Sequence, residues 1–427
     1  MKIDSSILKS LSVYSVANIL NAAIPFLLLP ILTNHLKPAD FGLISMFQLI
    51  LGFTIPFSGI NTDGAISRQY FNTLNNKLAF KYYLSNAFLI VCVSSIILSI
   101  LYYFFGSTVS SYTDFPVDWL WVIMVCSFSQ NVLEILLSLL QVQQKAMQFS
   151  ILRITKTFVE MGLSVLLILY VKNSWESRIE AQLIASILFL VLAIFLLLKM
   201  GWVVIKISKK DVIDLLRFGI PLIPHVIGAV VISMIDRMFI TKMVGLEETG
   251  LYSVGFQVGQ VISLIQTSFN QAWVPYFYEK LTKRDFATNL KIVKFTYIYF
   301  IVMLVLVALL SIVTPFIFEW FLGKDYSNAI KYVFWIGLGF AFNGMYKMVV
   351  NYFFYIKETY WVSILTFITA AINVGLNFVL IRLNGSVGAA QATAISFLIQ
   401  FILVWLLSAK KYKMPWLFFI VKHNKLN

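Results

Sequence analysis

The chain has 427 residues, of which 60% are hydrophobic and 12% charged, with a mean hydropathy of +0.85 and a formal charge of +14. Soluble domains carry about 25% charged residues, so the composition excludes a water-soluble globular protein and identifies an integral membrane protein. The two cysteines, Cys92 and Cys126, lie in apolar stretches, and His35, His225 and His423 are far apart, which excludes a disulfide framework and a Cys/His metal site; no cofactor is expected.

Crossing roughly 30 Å of hydrocarbon takes about 20 apolar residues. Stretches of that length fall at 10–33, 42–66, 82–105, 117–141, 150–171, 181–200, 217–242, 251–277, 292–318, 328–355, 359–381 and 387–408. The first, behind Lys2 and Lys9, is long enough to span and is not read as a cleaved signal peptide. Pro25, Pro30, Pro56, Pro221, Pro224 and Pro275 fall in or near spans, where each removes a backbone donor and can kink a helix. The segment KISKKDVIDLLR (206–217) reads as an amphipathic surface helix, and PWLFFIV (415–421) is too short to span and reads as interfacial.

Of the 33 basic residues, 24 fall on one side of these spans, and 7 (Lys37, Lys172, Arg178, Lys242, Lys324, Lys331, Arg382) on the other. The positive-inside rule then places both termini in the cytoplasm. The excess charge reads as topology and attraction to anionic lipid headgroups rather than nucleic-acid binding. Arg237 and Lys347 belong to neither side and are intramembrane.

The two halves repeat. TNHLKPADFGLIS (33–45) lies on TKMVGLEETGLYS (241–253) at a shift of 208, matching Thr33/Thr241, Gly42/Gly250, Leu43/Leu251 and Ser45/Ser253. SILRITKTFVEMGL (150–163) lies on SILTFITAAINVGL (363–376) at a shift of 213. A duplicated unit with an even number of spans gives parallel repeats, a transporter plan that puts the substrate site between the halves. The expected fold is therefore all-α, with twelve transmembrane helices in two parallel six-helix lobes, 1–205 and 206–408, around a central cavity, followed by a basic cytoplasmic tail, 409–427.

Several spans carry polar residues at the 3–4 spacing of one helix face. The fourth has Ser127, Gln130, Asn131, Glu134, Ser138 and Gln141, and the fifth Arg153, Lys156, Thr157, Glu160 and Ser164. The eighth has Ser253, Gln257, Gln260, Thr267 and Gln271, the tenth Asn343, Tyr346, Lys347 and Asn351, and the eleventh Thr366, Thr369, Asn373 and Asn377. The first has Tyr14, Asn18 and Asn21. Helix–helix hydrogen bonding accounts for any one stripe. So many together favour a shared polar cavity lined by Asn131, Gln257, Gln260, Gln271, Asn343 and Asn373, whose amides suit carbohydrate. Arg237, Lys347, Arg153 and Lys156 are the candidate cations for an anionic group such as a pyrophosphate. For Arg237 the bland alternative is a salt bridge to Asp236; for Arg153 and Lys156 it is ordinary positive-inside charge. Asp63, Glu134, Glu160 and Asp236 are candidates for ion coupling or gating, because a carboxyl in low dielectric can carry protons.

FGIPLIPHVIGAVVISMIDRMFI, GLYSVGFQVGQVISLIQTSFNQAWVPYFYE, LPILTNHLKPADFGLISMFQ, DGAISRQYF and INVGLNFVLIRLNGSVGAAQATAIS together resemble bacterial polysaccharide repeat-unit (O-antigen) flippases over nearly the whole chain. These belong with the multidrug/oligosaccharidyl-lipid/polysaccharide exporters, whose shared fold is MATE-like. The resemblance implies a substrate, an undecaprenyl-pyrophosphate-linked oligosaccharide, moved from the cytoplasmic to the periplasmic leaflet of the bacterial inner membrane. It implies alternating access, a cationic cavity, coupling to H+ or Na+, and polysaccharide polymerase and chain-length proteins as possible partners. Asp236–Arg237 matches the family's acid–base pair, and Asp63 and Arg68 match the acid and base that end its second span.

Two rival classes make different demands. A drug:cation antiporter on the same fold needs an apolar or aromatic cavity with a key carboxylate, against which the many Asn, Gln and Lys residues argue. A membrane-embedded polymerase or glycosyltransferase needs catalytic groups, often on a large external loop. The connections on the sparsely basic side are short, and no nucleotide-sugar or metal motif is visible.

Overall fold

The structure, a computed structural model, describes residues 20–416 apart from 22, 74–75, 203, 205, 283–284, 357 and 359. Lys2, Lys9, Tyr14, Asn18, Lys283, Arg284, Lys357, Lys422, His423 and Lys425, the start of the first span and most of the 415–421 segment lie outside the described residues.

Long apolar runs without an alternating pattern can satisfy their backbone in lipid only as helices, and among the described residues every regular element is helical. The helices are α1 (Ala23–His35), α2 (Pro38–Gly59), α3 (Thr62–Asn72), α4 (Lys77–Thr113), α5 (Leu120–Val142), α6 (Ala146–Tyr170), α7 (Trp175–Lys199) and α8 (Lys209–Gly219). They continue with α9 (Ile223–Met243), α10 (Leu246–Gly259), α11 (Val261–Leu281), α12 (Phe286–Trp320), α13 (Ile330–Tyr355), α14 (Tyr360–Asn384) and α15 (Val387–Lys411). Nine helical segments among the described residues are long and apolar enough to cross a membrane. The other three expected spans are α1, α6 and α10–α11. Arg153, Lys156 and Glu160 lower the hydropathy of α6, and a polar stripe interrupted at Gln260 lowers that of α10–α11.

The chain folds into two compact units, Met1–Gly250 and Leu251–Asn427. The first unit extends past the expected 205/206 boundary to take in α9, which lies along α2. Gly52 faces Val230 and Met234, and Thr241 Oγ1 donates to Met46 Sδ at 3.5 Å. The first unit holds two apolar clusters, one around Phe80, Tyr83, Leu136 and Trp202, the other around Phe47, Phe115, Ile123 and Ile179. The second has an aromatic core in which Phe269 stacks on Tyr299 at 4.5 Å and Trp273 on Phe295 at 4.9 Å. There α13 and α15 meet closely where Gly339 faces the Ala394 backbone, the small-residue contact usual between membrane helices.

Two features of the first unit follow from glycine. A Cβ on Gly42 would strike the Leu246 carbonyl oxygen, and one on Gly250 would strike the Pro38 carbonyl oxygen. At the shift of 208 that pairs Gly42 with Gly250, Pro38 pairs with Leu246, so the contact is reciprocal. That is the pattern in which residue i meets j and j meets i, as across a two-fold axis. The second feature is a break in the second span. Ile60 and Asn61 adopt left-handed φ values of 46° and 48°, which costs an L-residue about 1–2 kcal/mol. The break is held by Gly219, where a Cβ would fall on the Ile60 carbonyl, and by Asn61 Nδ2 donating to Gly219 O at 3.3 Å. Gly219 ends α8, the helix within the expected amphipathic segment, and a single 3-10 turn at Ile220–Leu222 joins it to α9.

Candidate functional site

In the second unit the tenth-span cation acquires a setting. Lys347 lies on α13, half-buried, and its ammonium donates to Thr267 Oγ1 on α11 at 3.2 Å. One turn earlier on α13, Asn343 Oδ1 accepts from Gln266 Nε2 of α11 at 3.1 Å. Gly344 permits this approach: a Cβ there would lie 2.9 Å from the Tyr299 hydroxyl and 3.1 Å from Gln266 Cβ. Gln266 Oε1 and Asn270 Oδ1 are shut from solvent with no hydrogen-bond partner. Among the described residues Lys347 has no carboxylate partner. An ammonium that gives one donor to a hydroxyl and keeps others to spare is an arrangement that can take an anion.

Gln266 escapes a reading by stripes because on α11 it points about 100° from Thr267 and about 140° from Gln271. Of the stripe itself, Gln257 is half-buried, and Gln260 and Gln271 are exposed. Asn373 does not line an open face. It is 1% exposed, donates to Ser396 Oγ at 3.3 Å and accepts from Asn377 Nδ2 at 3.1 Å. Asn131 in the first unit is likewise buried, donating to Ser58 Oγ at 2.7 Å and to Ile55 O at 3.3 Å, while Ser58 also bonds Ser127. Both asparagines are thus corrected from lining groups to helix–helix ties: an amide in a low-dielectric interior is costly unless paired, and a neighbouring helix supplies the partner.

The first unit contains an ionic cluster. Glu160 on α6 accepts from Arg178 Nη2 at 3.0 Å and lies 3.5 Å from Lys156 Nζ one turn earlier. Arg178 was expected in an outer loop. The structure places it in the first turn of α7 at 6% exposure, turned inward, because a buried carboxylate between two helices needs more than one lysine. Arg153 is half-buried, its guanidinium 5.8 Å from the Phe149 ring centroid. Glu134 is half-buried and accepts from Gln130 Nε2 at 2.8 Å, and Asp63 is half-buried in the first turn of α3. Arg68 pairs with Asp214 of α8 rather than with Asp63, and Tyr83 donates to the same Asp214 oxygen at 2.8 Å.

Asp236 and Arg237 are both buried, less than two turns from the end of α9. Neighbours on a helix point about 100° apart, yet the guanidinium curls back. Arg237 Nη1 donates to Asp236 Oδ1 at 3.1 Å and to Ser233 O at 2.8 Å. So Arg237 and Lys156 each have a carboxylate beside them, and among the described residues Lys347 does not.

Known proteins share this arrangement of helices. A family profile described as "Polysaccharide biosynthesis protein" matches residues 7–281. Two Haemophilus influenzae proteins are similar along most of their length. An "uncharacterized membrane protein" is 26% identical over 87% of this chain and 89% of its own, and "Lsg locus putative protein 1" is 24% identical over 84% and 87%. Among solved structures, the lipid II flippase MurJ in an inward closed conformation matches at a TM-score of 0.75 and 17% identity, covering 93% of this chain and 87% of that one. An inward-facing multidrug resistance MATE transporter matches at 0.71 and 14%, covering 93% and 94%. The chain therefore has the MATE-like fold of a multi-pass membrane protein.

Proposed function

The chain belongs to the polysaccharide biosynthesis protein family, and on that premise we propose that it is a flippase for undecaprenyl-pyrophosphate-linked oligosaccharide repeat units. It works in the bacterial inner membrane with both termini cytoplasmic, moving the glycolipid from the cytoplasmic to the periplasmic leaflet by alternating access. Lys347 is the observation that carries this reading: a half-buried cation held by the Thr267 hydroxyl, without a carboxylate among the described residues, suits an anionic substrate. Arg153, Lys156 and Arg237 remain further candidates for the pyrophosphate, and Gln257, Gln260, Gln271 and Asn343 for the sugar. An H+ or Na+ gradient drives the cycle. Asp63 and Glu134 are the preferred coupling carboxylates, because among the described residues neither is in an ion pair, whereas Glu160 and Asp236 already are. A polymerase and chain-length proteins act on the product.

Deleting the protein from its own cell is the first test. The expected result is loss of one surface polysaccharide and accumulation of its lipid-linked repeat unit, with susceptibility to cationic drugs unchanged. Intact polysaccharide together with drug sensitivity would instead favour an antiporter on the same fold.

A further inference from the structure

Two cavities of different chemistry lie together at the basic end of the first unit. One, of about 450 Å³, is bordered by the end of α3 (Thr73), the start of α4 (Lys77), the α5–α6 turn (Gln143, Lys145) and Trp202. The other, of about 340 Å³, runs between α4 and α7 and is apolar almost throughout, from Leu84 and Leu89 to Ile194 and Leu198, with Trp202 and Lys206 at one end. Trp202 walls both. It is 6% exposed, its ring edge-on to Phe80 at 5.6 Å and faced by Lys77 Nζ at 5.3 Å.

The outer wall of the apolar cavity is built, not incidental. Val204 N donates to Ser85 Oγ at 3.1 Å, Asn86 Nδ2 donates to Lys206 O at 3.0 Å, and Ser208 N donates to Asn86 Oδ1 at 3.0 Å. These bonds strap the α7–α8 connection onto α4. Lys206 Nζ then lies 4.4 Å from the Tyr82 ring centroid. Among the described residues three lysines border the two cavities and no Asp or Glu borders either. Leu84 and Leu89 lie 7 and 12 residues into α4, about 10 and 18 Å along its axis at 1.5 Å per residue. The apolar cavity therefore reaches hydrocarbon depth, while the cationic one sits at headgroup level. The positive-inside rule assigns this end to the cytoplasmic leaflet.

We propose that the first unit binds one anionic phospholipid of that leaflet, its phosphate between Lys77 and Lys145 and one acyl chain in the cavity beyond Trp202. Charge complementarity selects the headgroup, since phosphate beside two ammonium groups and a hydroxyl is favourable where a zwitterionic headgroup gains less. The adjacent apolar cavity selects a lipid over a free anion. The site is built from first-unit residues alone and does not depend on what the chain transports.

The test uses the purified, delipidated full-length chain and native mass spectrometry with phosphatidylglycerol, phosphatidylcholine, inorganic phosphate and undecaprenyl phosphate. The expected result is one tight phosphatidylglycerol, weakened about tenfold or more by combining K77A and K145A. Leu89→Trp, which fills the apolar cavity and leaves the lysines in place, should weaken it as well. Equal binding of phosphatidylcholine, unchanged binding to the Lys77/Lys145 variant, or equal competition by inorganic phosphate would each overturn the proposal. Preferential displacement by undecaprenyl phosphate would overturn it too, assigning the site to a polyprenyl chain.

Discussion

Lys347→Met is expected to leave the folded protein at least as stable as the parent while lowering glycolipid flipping by roughly one to two orders of magnitude, the worth of a charge-assisted contact of about 1.5–3 kcal/mol. The two effects separate because Lys347 contributes little to folding. Its partner is the Thr267 hydroxyl, and no described carboxylate offsets the desolvation of its ammonium. Lys347→Arg keeps the charge but replaces a point donor with a planar fork, so partial activity is expected. Thermal unfolding in detergent and flipping by the same preparation read both quantities. A methionine variant that flips normally removes Lys347 from the substrate path; one that unfolds makes it a structural residue. Arg237→Ala discriminates less well, because it takes a donor from Asp236, which is 2% exposed, and loss of activity would then follow from either cause.

The second large effect belongs to the Arg178–Glu160 pair. Arg178→Ala leaves a buried carboxylate with Lys156 at 3.5 Å as its remaining ionic partner, and breaking a buried pair from one side costs about 3–5 kcal/mol. The double replacement Arg178→Met with Glu160→Met removes both charges and is expected to recover most of that loss. Unfolding of the four proteins of this cycle gives the coupling directly. An Arg178→Ala variant within about 0.5 kcal/mol of the parent, the size of an ordinary surface substitution, would show that the pair does not hold α6 to α7. Should the double variant be stable yet unable to transport, Glu160 would return to the coupling candidates.

Hydropathy made the helices legible because, in lipid, a long apolar run has one way to satisfy its backbone. Hydropathy falls short at α6, where Arg153, Lys156 and Glu160 depress it; there the length of the run and the single face that holds those charges mark the helix. The two glycines that the 208-residue shift pairs also share a role: the backbone contact each makes, Gly42 to Leu246 and Gly250 to Pro38, tolerates no side chain. What each polar side chain does was less legible. Asn131 and Asn373 have the same spacing whether they face water or a neighbouring helix, and the partners that decide it, Ser58 and Ser396, are 73 and 23 residues away. Arg178 lies at the mouth of an apolar run, where a charge normally marks a loop; Glu160, 18 residues earlier, draws it inward. Gln266 was hidden because it lies with Asn270, one turn on, on a face of α11 that the Gln257, Gln260, Thr267 and Gln271 spacing leaves out.

Glycolipid flipping is tested most directly by the purified full-length chain in proteoliposomes that hold a fluorescent undecaprenyl-pyrophosphate-linked oligosaccharide in both leaflets. An impermeant sugar-oxidising reagent reports which molecules have reached the outer surface. The reactive fraction is expected to rise beyond the outer-leaflet share with the parent protein and to stay there with Lys347→Met, while organic drug cations are not moved. Lipid-linked sugar that stays in its leaflet, or drug cations that cross in its place, would contradict a flippase.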